Sequence, residues 1–342
     1  MIQEIRIKNY LSFRDEVVLS FEATKDTTFE ECQVVNVTPK VRLLRFALIY
    51  GANASGKSNL LKAMDFLRDF WFDKKSDIDE ETGVIPFLLD TETPNEPSEF
   101  NIKFFVGDKR YWYALVLDDK QVIKEDLYVY NSVQPSLVFS RELDGTASLI
   151  KLNASLVKAN ATIVEQLNVK CLSNMSFFAA RNQVNCSLAY IDEVRDWMKN
   201  NMMPIIEPGT RMFEYAGKQM EKNAELKAYI LDFVHKADYN ITDVYTEREK
   251  VPIPDIVKAT IMEDKDIPEK AKEKMLADNA LERLRTDFQH TVKNKRGEEN
   301  YRLPNSLQSE GTKRTFGIEA AIYDAIKTNG ILPIDEIESS LH

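Results

Sequence analysis

The sequence predicts an α/β fold, in which a core built on a mixed sheet carries an antiparallel β region and a helical insertion. A continuous apolar run at 43–50 ends at a glycine-bearing loop and is followed by apolar residues at helical spacing. Alternating, aromatic-rich residues over 99–130 are typical of antiparallel hairpins, whereas 191–285 is rich in Glu, Lys, Ala and Leu. The length of 342 residues suits two domains or one large domain with insertions.

The first fifty residues predict three strands. Isoleucines at positions 2, 5 and 7 and the apolar stretch 17–21 indicate two short strands joined by the turn 9–13. Residues 43–50, LLRFALIY, lack alternation and favour a buried, parallel strand. Leucine, methionine and phenylalanine at helical spacing then predict a helix over 59–72.

The middle of the chain predicts hairpins. Residues 99–117 and 122–130 alternate, and turns at Gly107-Asp108 and Asp118-Asp119 separate the predicted strands. The aromatic triplet Tyr111-Trp112-Tyr113 has two interpretations, which are packing within the sheet and a platform for stacked bases, and we favour packing.

The second half predicts charged helices and then a return to strands. Strand-like residues near 241–249 and over 286–303, the latter around a turn at 295–297, interrupt the helices, and 331–335 is a short apolar run. We therefore expect three parts, namely 1–190, a helical insertion at 191–285, and 286–342. The predicted helices are 192–200, 212–235, 268–285 and 310–328.

The composition excludes several classes of protein. Three widely spaced cysteines without a neighbouring histidine exclude a disulfide framework or a zinc site, and indicate a reducing compartment. Neither a signal peptide nor an apolar run of membrane-spanning length is present, so we expect a cytoplasmic protein without membrane contact. The net charge of -10 argues against nucleic-acid binding over the whole surface and leaves room for a local basic patch.

One motif predicts a nucleotide site. Residues 51–58 fit G-x-x-x-x-G-K-[ST] between an apolar run and a predicted helix. The glycines let successive N–H groups point at phosphate oxygens, Lys57 bridges the β- and γ-phosphates, and the Ser58 hydroxyl binds Mg²⁺. We therefore expect a nucleotide with β- and γ-phosphates and Mg²⁺ as ligands, and the family resemblance given below implies that this nucleotide is ATP. The predicted nucleotide-binding residues of this segment are Gly51, Ala52, Asn53, Ala54, Ser55, Gly56, Lys57, Ser58 and Asn59.

A pair of carboxylates follows the apolar run near the end of the chain. Asp335 is the expected metal ligand, and Glu336 is placed to accept a proton from the attacking water, which makes Lys57 and Glu336 the predicted catalytic residues. Asp335 lies 278 positions after Lys57, much farther than in small P-loop kinases and GTPases. The intervening hairpins and helices therefore read as a large insertion.

A third segment, SLQSEGTKR, begins the predicted helix 310–328. A serine at that position is ordinarily an N-cap. The same segment also suits an anion, because Ser309 donates, Gly311 permits close approach and the helix dipole favours negative charge. Ser309 lies 26 positions before Asp335.

Four segments together resemble the ABC/SMC-type AAA-family ATPases of bacteria, a group related to RecF and to the OLD ATPases and including PARIS-type defence subunits. These segments are IRIKNYLSFRDEVVLSF, IYGANASGKSNLL, SLQSEGTKR and LPIDEIESSLH. The resemblance implies a P-loop NTPase of the ABC-ATPase head type that hydrolyses ATP and dimerises with it. By position, it makes Ser339–Leu341 the D-loop and brings Ser12 and Arg14 near the nucleotide. It also implies that Ser309, Glu310, Gly311 and Thr312 form a trans signature, which contacts the γ-phosphate bound by the other protomer.

The sequence departs from this pattern in two places. No glutamine in the hairpin region matches the Q-loop. The chain ends at His342, directly after the D-loop, where the family continues with a strand bearing a switch histidine. We therefore expect a fragment in which the C-terminal part of the head is missing.

Three functions remain open. The first is an ATPase switch in bacterial antiphage defence, acting as a homodimer or higher homo-oligomer with a nuclease or toxin partner. The second is a RecF-like repair ATPase that binds DNA. The third is a scaffold that binds ATP with little turnover. The net charge favours the first. The candidate DNA contacts of the second are Arg42, Arg45, Lys293, Lys295 and Arg296.

Overall fold

The computed structural model describes residues 1–237, 240–264, 268–278 and 280–339. The chain forms two compact units. The first comprises Met1–Ile206 and Thr328–Asp335, and the second comprises Glu207–Lys327 and the residues from Glu336 on. The three-part division expected from the sequence remains a prediction.

The first unit contains a large antiparallel sheet and five helices among its described residues. The seven strands lie in the order β2-β1-β5-β6-β7-β8-β9, and β3 and β4 form a separate hairpin. The strands are β1 (Ile2–Lys8), β2 (Val17–Ser20), β3 (Val34–Thr38), β4 (Val41–Leu44), β5 (Ser98–Val106), β6 (Lys109–Leu117), β7 (Val122–Tyr130), β8 (Ser136–Asp144) and β9 (Ala147–Leu152). The helices are α1 (Glu30–Gln33), α2 (Lys57–Phe70), α3 (Ala161–Lys170), α4 (Phe177–Arg181) and α5 (Ile191–Asn201).

One face of the sheet forms the core of this unit. In β6, the alternating residues Tyr111, Tyr113 and Leu115 are fully buried, and α2 contributes Leu67 and Phe70 to the same cluster. Packing is thus confirmed for two of the three aromatic residues in the triplet. The third side chain, Trp112, lies on the opposite face and stacks on Tyr128 with ring centroids 4.6 Å apart.

A buried ion pair ties the sheet to the loop before α4. Glu125 and Arg141 are both fully buried and lie 3.2 Å apart. The guanidinium of Arg141 also donates to the carbonyls of Leu172 and Met175, and the carboxylate of Glu125 accepts from the N–H of Phe177. Because both charges have several partners, the desolvation cost of burying them is offset.

The second unit is a three-stranded antiparallel sheet covered by helices. Its strand order is β10-β11-β12, and its core includes Ala216, Ile230, Phe288 and Phe316. Glu319 is buried on α10, and this burial raises the pKa of its carboxyl group. The elements are α6 (Met212–Lys222), α7 (Ala224–Lys236), β10 (Asp243–Pro252), α8 (Asp255–Glu263), α9 (Glu269–Asp278), β11 (Ala280–Asn294), β12 (Gly297–Pro304) and α10 (Glu310–Thr328).

Most predicted elements are confirmed, including β1, β2, α2, the hairpins of β5–β7, and α10. The coarse prediction of an α/β fold with a large antiparallel sheet is likewise confirmed. Parallel pairing among the described residues is limited to two isolated bridges, Met202 with Ile331 and Ile206 with Ile334. None of the helices that the structure describes combines the length and apolarity that crossing a membrane requires.

Two predicted elements are wrong, and the single helix expected over 212–235 is two helices that meet at Asn223. The strand expected over 43–50 ends at Leu44, which pairs antiparallel with β3, and Phe46, Leu48 and Tyr50 are each more than half exposed. No described strand lies beside 45–50, so its apolar side chains have no sheet to join. The helix expected over 268–285 ends at Asp278, because β11 begins at Ala280 and pairs with β10. Tertiary pairing overrides helix propensity there.

Candidate nucleotide-binding site

The loop before α2 contains left-handed residues of the kind that anion-binding loops use. Ala54 and Gly56 adopt left-handed conformations, with φ of 62° and 92°, and the N–H of Ser55 donates to the carbonyl of Ala52 at 3.2 Å. Residues 50–55 are exposed. Alternation of left- and right-handed residues turns successive N–H groups to one side and creates an anion-binding concavity. The loop is therefore shaped and accessible for a phosphate group.

The N-terminus of α2 supplies further donors. Its N-cap residue is Gly56, and no side chain in the described structure forms a capping hydrogen bond to this end. The first N–H groups of a helix have no intrahelical acceptor and carry the positive end of the helix dipole. An anion at this position would satisfy them.

Lys57 lies over the loop that it follows. Its ammonium donates to the carbonyls of Gly51 and Ala52, each at 2.9 Å. A Cβ atom on Gly51 would lie 2.6 Å from the Ser55 hydroxyl, so a side chain there would require that hydroxyl to move. Ser58 is the second residue of α2 and is half-buried.

The turn 9–13 packs directly against the phosphate loop. The Asn59 amide donates to the Ser12 hydroxyl at 2.9 Å. A Cβ atom on Gly56 would lie 2.6 Å from that hydroxyl and 2.7 Å from Cε1 of Phe13. The structure thus brings Ser12 to the loop. Arg14, in contrast, forms ion pairs with Asp15 and with the carboxylate of residue 90, at 3.2 Å and 3.9 Å.

Two residues that hold this turn were missed by the sequence reasoning. Asn9 is buried with φ of 51°, and its amide donates to the carbonyls of Thr93 and Glu96, each at 2.8 Å. Burial and the nearby carboxylate of Asp65 raise the pKa of Tyr10 to about 12, so its hydroxyl stays neutral. An asparagine before a turn is a signal for a left-handed residue, but its partners are distant in sequence.

The segment that carries Asp335 is held by backbone bonds. Its N–H donates to the carbonyl of Ile206 at 2.9 Å, and the N–H of Ile206 donates to the carbonyl of Pro333 at 3.0 Å. On the other strand of this pair, the N–H of Ile205 donates to the Asp65 carboxylate of α2 at 3.1 Å. Pro333 cannot donate to a ladder, which accounts for isolated bridges in place of a regular strand.

Glu336 follows with an unusual backbone. It is exposed and left-handed, with φ of 45°. Its carbonyl accepts from the N–H of Ser339 at 2.9 Å and from the guanidinium of Arg314 at 3.1 Å. The structure describes the first residue of the predicted D-loop, Ser339. The other two, Ser340 and Leu341, and the terminal His342 lie outside the described residues.

The predicted signature residues form the start of α10. The Ser309 hydroxyl accepts from the N–H of Thr312 at 3.0 Å, which is an N-cap geometry. Glu310 pairs with Lys313, and the carbonyl of Gly311 accepts from Thr315 at 3.0 Å. The ordinary capping role of this serine is therefore present, and a contact with a second protomer remains a prediction.

The residues fit a magnesium nucleotide. The uncapped helix end, the exposed loop and the lysine together match the phosphates, and a Ser58 hydroxyl with an Asp335 carboxylate is the small oxygen set that Mg²⁺ uses beside phosphate oxygens. No group of three or more His, Cys, Asp or Glu side chains that could hold a metal occurs within the described ranges.

The comparisons with known proteins identify the family. A family model described as "AAA domain, putative AbiEii toxin, Type IV TA system" matches residues 46–152 and 206–342. No curated protein matches the chain. AAA domains of this kind generally bind ATP with Mg²⁺ and are ATPases. Because the matched segments include the phosphate loop, Asp335 and Glu336 and cover more than half of the sequence, the chain belongs to this family of AAA domains.

Proposed function

We propose that this chain binds ATP and Mg²⁺ at its phosphate loop, hydrolyses the nucleotide, and serves as a nucleotide-driven dimeric switch in bacterial antiphage defence. The observation that carries the proposal is the left-handed backbone at Ala54 and Gly56 in front of an uncapped helix. Family membership supports ATP binding and ATPase chemistry.

Each residue of the site has a distinct role in this proposal. Lys57 exchanges its two carbonyl partners for phosphate oxygens, while the N–H groups of the loop and of α2 orient the phosphates. Ser58 and Asp335 hold Mg²⁺, which, when bound, neutralises charge on the phosphates. Glu336 accepts the proton of the attacking water. Ser12, on the turn beside the loop, and Arg14, which follows that turn, are the remaining nucleotide-binding residues of the proposal.

Dimerisation is proposed to complete each site. Ser309, Glu310, Gly311 and Thr312 would meet the γ-phosphate bound by the second protomer. The start of α10 supports this role, because a 19-residue helix presents its positive end at Glu310. The Ser309 hydroxyl accepts from the N–H of Thr312 and lies 2.9 Å from the Thr312 hydroxyl, so its hydrogen can turn to a phosphate when Thr312 is the donor of that pair.

Nucleotide binding is tested with Lys57→Ala and a matched control on the same helix, Lys62→Ala. We expect the first variant to lose binding of a fluorescent ATP analogue and the second, whose side chain lies on the exposed face of α2, to retain it. Equal binding by both variants would refute the site. Single-turnover hydrolysis by Glu336→Gln tests the base, since a rate equal to that of the wild type removes Glu336 from this role and favours the ATP-binding scaffold.

Association is tested separately. Light scattering with ATP and without nucleotide measures the mass of the assembly, and Ser309→Arg places a bulky cation at the start of α10. We expect ATP-dependent dimers or higher homo-oligomers in the wild type and monomers in the variant. If Ser309→Arg associates normally, the trans-signature assignment is wrong.

The biological setting is proposed from the family description, which names a putative toxin and a type IV toxin–antitoxin system. We expect a protein partner that is a nuclease or toxin, and a cytoplasmic complex. Protection against phage, measured as plaque number in cells that express the complete locus, should disappear with Lys57→Ala. If cells with this variant remained protected, nucleotide binding by this chain would not be required for defence.

A second candidate function is DNA binding in the manner of RecF. The end of β11 and the turn that follows it carry Lys293, Lys295 and Arg296, all exposed, which favours a local contact with phosphates. Of the other candidates, Arg42 is already paired with Glu30 at 2.8 Å, whereas Arg45 is exposed. Alanine at the three hairpin positions should reduce both DNA affinity and its salt dependence. Unchanged values would exclude nucleic acid from this surface.

A further inference from the structure

Arg314 connects the start of α10 to the main chain at Glu336. Its guanidinium donates to the carbonyl of Glu336 at 3.1 Å and to the carbonyl of Pro208 at 2.9 Å, all within the second unit. A longer contact of 3.5 Å reaches the carbonyl of Glu207. One side chain thus joins the segment after the predicted signature to two separate stretches of backbone.

The main chain at Glu336 needs such support. A left-handed conformation is unfavourable for a residue other than glycine, so surrounding contacts must hold it. The carbonyl of this residue also accepts from the N–H of Ser339, which closes a tight turn. Arg314 and Ser339 therefore share one acceptor at the strained position.

The neighbouring residue Lys313 has a different kind of partner from Arg314. Lys313 pairs with Glu310 within the first turn of α10, an ordinary i,i+3 ion pair at a helix surface. Arg314, in contrast, directs its planar fork at carbonyl oxygens of other segments. Two carbonyls can be held at once by the five N–H donors of a guanidinium, whereas the point charge of lysine has no such fixed geometry.

We propose that Arg314 is a positioning residue, which fixes the left-handed main chain at Glu336 and thereby the direction of its carboxylate. The proposal deepens the proposed function, on which it rests for the role of Glu336 as base. It also means that a movement of the start of α10 would move the Glu336 carboxylate, because Arg314 belongs to this helix and its guanidinium contacts the backbone of Glu336.

The test compares Arg314→Gln and Arg314→Lys with Lys327→Ala, a control at the far end of α10 whose ion pair with Glu225 is exposed. Three quantities are measured on the full chain, namely amide hydrogen exchange over 333–339 without nucleotide, ATP affinity, and the single-turnover rate.

We expect Arg314→Gln to speed exchange at 336–339 and to lower the single-turnover rate by about a hundredfold, the cost of misplacing a catalytic group by about 1 Å. ATP affinity should stay within about twofold of the wild type, because the phosphate loop lies elsewhere in the chain. Arg314→Lys should be intermediate in both exchange and rate, and Lys327→Ala should match the wild type.

Unchanged exchange at 336–339 in Arg314→Gln would overturn the proposal. A uniform rise in exchange over the second unit, with restored rate at lower temperature, would also overturn it by showing a role in folding alone. A wild-type chain that hydrolyses no ATP would instead refute the proposed function, and the exchange measurement would still decide whether Arg314 holds this turn.

Discussion

Gly56 offers the sharpest test of how the phosphate loop is built. Its φ is 92°, and a Cβ atom at this position would lie 2.6 Å from the Ser12 hydroxyl and 2.7 Å from the ring of Phe13. The substitution Gly56→Ala therefore imposes both backbone strain and a collision with a packed turn. Gly83 provides the matched control, since its φ is 83° and no atom lies within 4 Å of a Cβ there.

The two substitutions should differ by the cost of the collision. A left-handed alanine costs about 1–2 kcal/mol of unfolding free energy, which is all that Gly83→Ala loses. Gly56→Ala adds the overpacking cost of about 1–3 kcal/mol, because the ring of Phe13 is buried and has little freedom to move. We therefore expect a total loss of about 2–5 kcal/mol for Gly56→Ala.

Urea unfolding and ATP binding measure this difference. Gly56→Ala should show the larger drop in unfolding midpoint and lose affinity for ATP, while Gly83→Ala should keep its affinity. If both variants were destabilised equally, the turn 9–13 would not be packed on the loop in solution. The inference that this turn shapes the nucleotide site would then fail.

Three other substitutions test the packing of each unit. Gly317→Ala should destabilise the second unit by about 1–3 kcal/mol in urea unfolding, because the new Cβ would lie 2.9 Å from the backbone carbon of Met212; a neutral result would contradict that close approach. Glu125→Gln should cost about 3–5 kcal/mol of unfolding free energy, since Arg141 would remain as a buried charge without its anion; a loss below 1 kcal/mol, by the same reasoning, would show water reaching the pair. Burial raises the pKa of Glu319 in the folded state, so its contribution to stability is present below its ordinary pKa of 4.5 and is lost as pH rises through the folded value. The Glu319→Gln variant should therefore gain stability relative to the wild type with rising pH, and parallel pH profiles would refute the assignment.

The phosphate loop could be predicted because its information is local. Gly51, Gly56 and Lys57 follow one another at the spacing that the backbone conformation needs, and no distant residue is required to recognise them. The contacts that hold the turn 9–13 and pack it against the loop could not be found in this way. Asn9 and Phe13 act through contacts with residues more than 40 positions away, for which a single sequence offers no signal.

The wrong predictions have the same origin. Phe46, Leu48 and Tyr50 have the apolarity of a buried strand, yet burial depends on a neighbouring strand that the described residues do not provide. In the opposite direction, 280–285 has the composition of a helix but pairs with β10 over its whole length. Local composition reports preference, whereas pairing is decided by the rest of the chain.

The two hydrogen bonds of the Lys57 ammonium have a consequence for measured affinities. The carbonyls of Gly51 and Ala52 accept from the ammonium that a phosphate would seek, although they leave its positive charge in place. Binding is therefore an exchange of acceptors, in which the released carbonyls must find water. Small anions such as sulfate share this exchange with the nucleotide and should compete with it, so buffer anions are a variable that any comparison of ATP affinities has to hold constant.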